Sequence, residues 1–185
     1  LVAVSIASDI VPITDENRVL AYYGLKKLNE NPVPGLKALK EIAGIKNELD
    51  ISGVVFSVGP RINAAGRVAH ARAAVDLLIA HTEEEAASLA EKLNLKNELR
   101  KEFDSSITEE ALTMIEMNDR IKPLKSTVLF KNSWHKGVIG IVAARCIEKF
   151  YRPTIILTES NNKITGSARS VSGFDLYQAI LSCSD

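Results

Sequence analysis

Residues 126–158 read STVLFKNSWHKGVIGIVAARCIEKFYRPTIILT, and this stretch indicates the fold class most clearly. Short runs rich in β-branched residues alternate here with a segment whose apolar residues recur at helical spacing. Strands are predicted at 126–131, 154–158 and 163–170, and helices at 138–150 and 174–183. Because strands and helices alternate, we predict an α/β domain that begins after Pro123.

The residues before this domain are predicted to be mainly helical. Helices are expected from Thr14 or Asp15 to about Asn29, over 35–43, over 71–80 and from Thr82 to about Asn118. Thr82 and Glu85 have the spacing of a capping box, and the helix that follows would be about 50 Å long at 1.5 Å per residue. Its length favours the interpretation of this helix as a spacer between two domains.

Two segments outside these helices are less clear. Residues 51–57 are compatible with a strand or with a short helix. The apolar opening at 1–7 predicts a buried strand, with Ser8 and Asp9 at its carboxyl end. Together the patterns predict the end of one α/β domain at 1–45, a helical connector at 46–122 and the beginning of a second α/β domain at 123–185.

Composition is that of a globular intracellular protein. The chain has 185 residues, of which 46% are hydrophobic, enough for one sizeable core or two small ones. No apolar run approaches the roughly 20 residues of a membrane span, so we expect no membrane association. The two cysteines, Cys146 and Cys183, predict buried thiols in a reducing, cytoplasmic compartment more readily than a disulfide.

Charge is unevenly distributed along the chain, although the net charge is zero. Residues 83–119 contain eleven acidic side chains and four basic ones, whereas 120–147 contain no acid and six lysines or arginines. A second acid-free stretch, 51–75, contains three arginines. Such stretches could line a groove for a polyanion, while a solvated surface is the simpler interpretation of any single lysine.

The octapeptide PRINAAGR at 60–67 has the composition of a phosphate-binding segment. Arg61 and Arg67 offer planar charged forks to phosphate oxygens, and Asn63 is a shorter polar group. Gly66 permits backbone conformations closed to other residues, and the alanines leave room for a bulky ligand. The alternative is that both arginines pair with carboxylates at a domain interface.

His135 and Lys136 precede the helix predicted at 138–150. The free N–H groups at a helix start form an anion site, to which His135 could donate a hydrogen bond as a neutral ring and Lys136 could add a point charge. The alternative for His135 is a purely structural histidine. Trp134 is more typical of packing than of base stacking.

Ser167, Arg169 and Ser170 lie in the last predicted strand. Because side chains alternate along a strand, Ser167 and Arg169 point to one face. A hydroxyl and a guanidinium on one face suit a terminal phosphate.

Four motifs together carry a resemblance to a known family. They are SDIVP at 8–12, PRINAAGR at 60–67, WHKGVIGIVAAR at 134–145 and TGSARS at 165–170. In this order and spacing they resemble the RecJ family of bacterial 5′→3′ exonucleases specific for single-stranded DNA, within the DHH phosphoesterase superfamily. The family's N-terminal aspartate motifs, its Asp-His-His triplet and its later Gly-Gly-His motif are absent, so the chain resembles a central part truncated at both ends.

The resemblance implies roles for single residues. Asp9 matches the last metal-binding aspartate of the DHH catalytic domain, whereas an Asp in this setting is otherwise more often a helix cap or a turn former. As a catalytic residue it would bind Mn²⁺ or Mg²⁺, which prefer oxygen ligands. The 165–170 motif would belong to the DHHA1 domain, which holds the nucleic acid and its 5′ end. One carboxylate cannot hold a metal pair, so we expect this chain alone to lack nuclease activity.

Two other functions stay open. One is a DHH phosphoesterase acting on short oligonucleotides or cyclic dinucleotides, although such proteins usually have a short linker without a segment like 60–67. The other is a catalytically inactive scaffold that binds single-stranded DNA. For the exonuclease, a helicase and a single-strand-binding protein are the expected partners, and cleavage polarity is implied by the resemblance alone.

Overall fold

A computed structural model describes residues 1–68 and 71–183 of the chain. The chain divides into two compact units, Leu1–Leu99 and Arg100–Asp185, and each has its own apolar core. In the described ranges, no helix combines the length and the apolar character that crossing a membrane requires. The domain boundaries expected at residues 45 and 122 stay predictions.

In the described part of the first unit, all regular secondary structure is helical. Its elements are α1 (Val2–Ser8), α2 (Asp15–Glu30), α3 (Pro34–Ile42), α4 (Ile51–Gly53), a π-helical turn (Val54–Val58), α5 (Gly59–Val68), α6 (Arg72–Leu78) and the beginning of α7 (Glu83–Glu116). The helices α2, α3 and α6 lie where the sequence predicts them. The ambiguous segment 51–57 is helical.

The strand predicted at 1–7 is wrong, because this stretch forms α1. Its buried residues have the spacing of one helical face, namely Ala3, Val4, Ile6 and Ala7. Ser5, the polar residue of the run, is exposed. A short apolar run does not distinguish a buried strand from a buried helical segment. Asp9 therefore follows a helix.

The long helix α7 begins at a modified capping box. The Glu85 N–H donates to Thr82 Oγ1 at 3.2 Å, and Glu85 Oε2 accepts from the His81 N–H at 3.3 Å, one residue earlier than expected. The helix contributes to both cores: Ala86, Ala90 and Leu93 are buried in the first, and Ile107, Ala111 and Ile115 in the second. It is thus a packed element of each unit, more than an exposed spacer.

The second unit is the α/β domain that the sequence predicts. Its further elements are β1 (Thr127–Phe130), α8 (Ile139–Phe150), β2 (Thr154–Ser160), β3 (Lys163–Arg169) and α9 (Leu176–Leu181). The sheet order is β1-β2-β3, with β1 parallel to β2 and β3 antiparallel to it. Asn161 and Asn162, with φ of 53° and 57°, form the tight turn between β2 and β3.

The core of the second unit lies between one sheet face, α8 and α7. Leu129 and Ile156 from the sheet pack with Val142 and Cys146 of α8. Both cysteines are free, and burial raises the pKa of Cys146 to about 11. Cys183 is exposed, so the expectation of two buried thiols is wrong for this residue.

Candidate nucleic-acid interface

Ser167 and Arg169 lie beside the first turn of α8. A Cβ atom at Gly140 would be 2.9 Å from Ser167 Oγ and 3.3 Å from Arg169 Nη2. In the sheet register Ser167 pairs with Ile156 and Arg169 with Thr154, which are both fully buried. The two side chains therefore lie on the sheet face that α8 covers. Residues of two sequence motifs, 134–145 and 165–170, form one cluster here.

Arg169 is exposed and hydrogen-bonded only to neutral oxygens among the described residues. Its Nη1 donates to Ala168 O at 2.9 Å and to Ser167 Oγ at 3.3 Å. Because neither acceptor is a carboxylate, these bonds leave the positive charge uncompensated. A guanidinium in this state is suited to a phosphate oxygen.

The start of α8 adds backbone donors to this cluster. Val138 precedes the helix and makes no side-chain cap bond, so the first N–H groups are not satisfied by a cap. The helix dipole places partial positive charge at the same end. Gly140 in the first turn has no side chain between the backbone and Ser167. The hydroxyl, the guanidinium and the helix start thus favour an anion together. We call Gly140, Ser167 and Arg169 the β3–α8 cluster.

The segment before α8 is anchored by Trp134, which is 3% exposed. Its Nε1–H donates to Glu110 Oε2 at 2.7 Å, and its carbonyl accepts from Thr158 Oγ1 at 2.7 Å. Glu110 also forms an ion pair with Lys131, and hydrogen bonds from Lys131 and Trp134 lower the pKa of the Glu110 carboxyl. The burial of Trp134 agrees with the packing role expected for it.

His135 follows Trp134 and is half-buried. Its ring stacks on Phe103 of α7 with a centroid separation of 4.9 Å and an interplanar angle of 8°. Its Nδ1 accepts from the Gly137 N–H at 3.1 Å. The neighbouring Lys136 is exposed. These contacts fix the position of the ring. Nε2, the second nitrogen of the ring, takes no part in this hydrogen bond.

Ser170 lies outside the β3–α8 cluster. Its hydroxyl donates to Phe174 O at 2.6 Å and approaches Val171 O at 3.3 Å, so it closes the turn after β3. Ser170 is exposed, and its oxygen retains acceptor capacity. Its donor is engaged within this turn.

In the first unit, the octapeptide 60–67 lies within α5. Ala64 and Ala65 are buried, so their small size serves packing. Gly66 lacks a positive φ, and the expectation that it supplies a special backbone conformation is wrong. Asn63 and Arg67 are exposed four residues apart and share one helical face.

Arg61 is more enclosed than the sequence suggested. It is half-buried, with Nε donating to Asn94 Oδ1 at 2.9 Å and Nη1 donating to Ser57 O at 2.7 Å. These bonds connect α5 to α7 and to the preceding π-helical turn. Both partners are neutral, in contrast to the carboxylates considered for an interface role. Arg61 therefore has a structural function in this unit, whatever else it binds.

Asp9 is exposed at the C-terminal end of α1. The chain leaves the helix through Ile10, with φ of 53°, while the Val11 N–H donates to Ile6 O at 3.0 Å. A carboxylate caps helix N-termini, so its place here is not explained by capping. The preceding Ser8 lies against the start of α5, where a Cβ at Gly59 would be 2.9 Å from Ser8 Oγ.

In the described part of the chain, no three His, Cys, Asp or Glu side chains are grouped closely enough to hold a metal ion. Asp9 alone does not fit a catalytic metal pair.

Sequence reasoning did not find the residues that support these groups. Phe103, Glu110 and Asn94 were not singled out as functional residues. Glu110 gave a signal, because it lies on the same helical face as Phe103 and Ile107, where a carboxylate needs a partner. Asn94 gave none, since its partner Arg61 is 33 residues away in sequence.

No protein-family model matches the chain. The chain is 37% identical over 188 residues to the single-stranded-DNA-specific exonuclease RecJ of Bacillus subtilis, and 35% identical over 185 residues to that of Escherichia coli. These matches cover 100% and 97% of the chain. The chain belongs to the RecJ family. The family inferred from the four motifs is thereby confirmed. The chain spans 24% and 32% of the length of these two RecJ proteins.

Solved structures agree with this assignment. The crystal structure of Thermus thermophilus RecJ with Mg²⁺ superimposes with a TM-score of 0.84 at 29% identity, covering 99% of this chain and 28% of that one. A structure of exonuclease RecJ bound to manganese gives a TM-score of 0.83 and 29% identity, covering 97% and 44%. The helical first unit, the long helix and the small mixed sheet thus form a RecJ fold segment.

Proposed function

We propose that this RecJ segment binds the 5′ end of single-stranded DNA in a 5′→3′ exonuclease, with the β3–α8 cluster contacting the terminal phosphate. The observation that carries the proposal is the convergence of the Ser167 hydroxyl, the Arg169 guanidinium and the first turn of α8 at Gly140. A phosphate is the ligand for which these donors are suited. The names of the RecJ relatives, which specify single-stranded DNA, support the choice of substrate.

Contacts to the DNA backbone carry no direct information on base identity, so the proposed binding is independent of sequence. Asn63 and Arg67 would contact the strand from the exposed face of α5, while His135 and Lys136 would do so beside α8. Arg61 would contribute through its remaining N–H groups while it holds α5 in place. Ser170 would donate its hydroxyl to a phosphate oxygen by turning away from Phe174 O.

For metal binding, we assign Asp9 as one oxygen ligand for Mn²⁺ or Mg²⁺ in the intact protein. The solved RecJ structures bound to these ions support the choice of metal. Because Asp9 alone does not fit a metal pair, catalysis would require further ligands from the rest of the intact protein. The proposal also includes a role in DNA repair and recombination in the cytoplasm, with a helicase and a single-strand-binding protein as partners. The first unit would end the DHH domain and the second would begin the DHHA1 domain.

The test uses the intact protein that contains this chain. Asp9→Ala should abolish the release of nucleotides from single-stranded DNA in Mn²⁺ and leave the dissociation constant for that DNA largely unchanged. The chain by itself should release no nucleotides. Near-normal turnover of the variant would remove Asp9 from the metal site, and robust cleavage by the chain alone would contradict the requirement for further ligands.

The same assay separates the two other functions. Tight binding of single-stranded DNA without cleavage by the intact wild-type protein would favour an inactive scaffold. Cleavage confined to dinucleotides and very short oligonucleotides would favour a small-substrate phosphoesterase. Progressive release of mononucleotides from a long 5′-phosphorylated strand supports the exonuclease.

A further inference from the structure

The imidazole of His135 is fixed by contacts from two different elements. Phe103 of α7 stacks on its face with an interplanar angle of 8°. The Gly137 N–H donates to its Nδ1 at 3.1 Å. The first contact fixes the plane of the ring and the second fixes its rotation within that plane.

The bond from Gly137 also selects the tautomer. A backbone N–H can only donate, so Nδ1 must present its lone pair and the neutral ring carries its proton on Nε2. Within residues 1–68 and 71–183, Nε2 has no hydrogen-bond partner. The ring therefore has one unused donor in a defined orientation.

The backbone around His135 is held as firmly as the ring. Trp134 is buried and bonded on both its indole and its carbonyl, through Glu110 and Thr158. The Val138 N–H donates to His135 O at 3.1 Å, which joins this residue to the turn that starts α8. A side chain with this much support is suited to a precise polar contact.

We propose that Phe103 is a positioning residue for DNA binding: by stacking on His135 it aims the Nε2–H of the neutral ring at a phosphate oxygen of the bound strand. This inference rests on the proposed function, because it specifies how one residue of the interface recognises the DNA backbone. It assigns His135 a donor role that does not require a positive charge. Phe103 acts only through His135 and does not touch the DNA.

The tautomer is tested first, by binding of a 5′-phosphorylated single strand to the intact protein. His135→Gln places an amide donor near the position of Nε2, whereas His135→Asn places one near Nδ1. We expect His135→Asn to weaken binding about tenfold, the size expected for one hydrogen bond to a charged group, and His135→Gln to weaken it less. Equal losses in the two variants would overturn the assigned tautomer.

Phe103 is tested with a leucine and a tyrosine. Phe103→Leu keeps an apolar side chain without the ring and should weaken binding by about three- to tenfold, while Phe103→Tyr keeps the ring and should restore it. In the double variant Phe103→Leu/His135→Asn the losses should not add, because both remove the same contact. Additive losses, or wild-type binding by Phe103→Leu, would overturn the proposal.

The control is Leu112→Ala, which removes another apolar side chain of α7 that packs on the same core. It should lower the melting temperature without changing DNA affinity. If it weakens binding as Phe103→Leu does, general destabilisation explains both and the proposal is wrong. If the wild-type protein fails to bind single-stranded DNA at all, the proposed function fails; wild-type binding with unaffected variants rejects this inference alone.

Discussion

Arg61 in the first unit and Arg169 in the second carry the same charged group in different surroundings. Arg61 is half-buried and donates to Asn94 Oδ1 and Ser57 O, at 2.9 and 2.7 Å. Arg169 is exposed at the end of β3, and its bonds to Ala168 O and Ser167 Oγ stay within its own strand. Arg61 connects separate elements of its unit, whereas the bonds of Arg169 to the described residues connect no second element.

These surroundings determine how many N–H groups of each guanidinium are available to a ligand. Removing Arg61 leaves a carbonyl and an amide oxygen of the fold without their donor, which costs stability. Removing Arg169 leaves the fold intact and deletes an uncompensated charge next to the start of α8. We therefore expect Arg61 variants to affect mainly stability and Arg169 variants to affect mainly binding.

The largest effect is expected for Arg169→Gln in the intact protein. Loss of a hydrogen bond between charged groups should weaken binding of a 5′-phosphorylated strand by about 1.5–3 kcal/mol and remove any preference over a 5′-hydroxyl strand. The slope of affinity against salt should fall by about one unit. Fluorescence anisotropy over a salt series measures both. An unchanged preference for the phosphorylated end would show that Arg169 does not contact it.

Arg61→Gln should lower the free energy of unfolding of the first unit by about 1–2 kcal/mol, because two acceptors lose their donor. Chemical denaturation followed by circular dichroism measures the change. Arg72→Gln is the matched control: Arg72 is 78% exposed and pairs with Asp76 one helical turn away, so its loss should cost at most about 0.5 kcal/mol. Unchanged stability with a reduced salt slope would instead make Arg61 a DNA contact like Arg169.

The comparison extends to one glycine from each unit. Gly140→Ala should weaken DNA binding by about three- to tenfold, since its Cβ would be 2.9 Å from Ser167 Oγ and would displace the cluster. Its stability should not fall, because the clash is with movable side-chain ends and Ala favours helix. Gly66→Ala, whose Cβ would meet no atom of the described residues within 4 Å, should stabilise α5 by about 0.5–1 kcal/mol without affecting binding. Weaker binding by Gly66→Ala would indicate that DNA approaches α5 closely.

The sequence predicted the second unit better than the first. Several sequence signals agree with one another there: runs of β-branched residues, glycines at the start of the helix and an apolar period typical of a helix. They predict the strands over 126–131, 154–158 and 163–170 and the helix between the first two. In the first unit, the apolar run 1–7 was compatible with a buried strand and with a buried helical segment. Ser5, which is exposed, was the only residue of the run that indicated a helix.

For the candidate site, the sequence indicated residue types but not their neighbours. Ser167 and Arg169 were expected on one strand face, and an anion site was expected at the start of the helix predicted at 138–150, yet nothing local joined the two motifs. The register of β3 and the packing of α8 bring them together. The stack of Phe103 on His135 could not be predicted either, because contacts between distant segments depend on the tertiary fold.

An effect as small as that of Gly66→Ala is expected beside Asp9, where the backbone conformation of the next residue, Ile10, fixes the turn. Ile10 has φ of 53°, and for a residue with a Cβ this conformation costs about 1–2 kcal/mol. Ile10 is 76% exposed, so its side chain contributes little packing. Ile10→Gly should remove the strain and raise the free energy of unfolding by about 0.5–1 kcal/mol after the entropy cost of glycine. Ile10→Ala, which keeps a Cβ, should gain less. Denaturant titrations of the wild-type protein and the two variants measure these changes in the free energy of unfolding. Equal or lower stability of the glycine variant would mean that the turn after Asp9 is not strained.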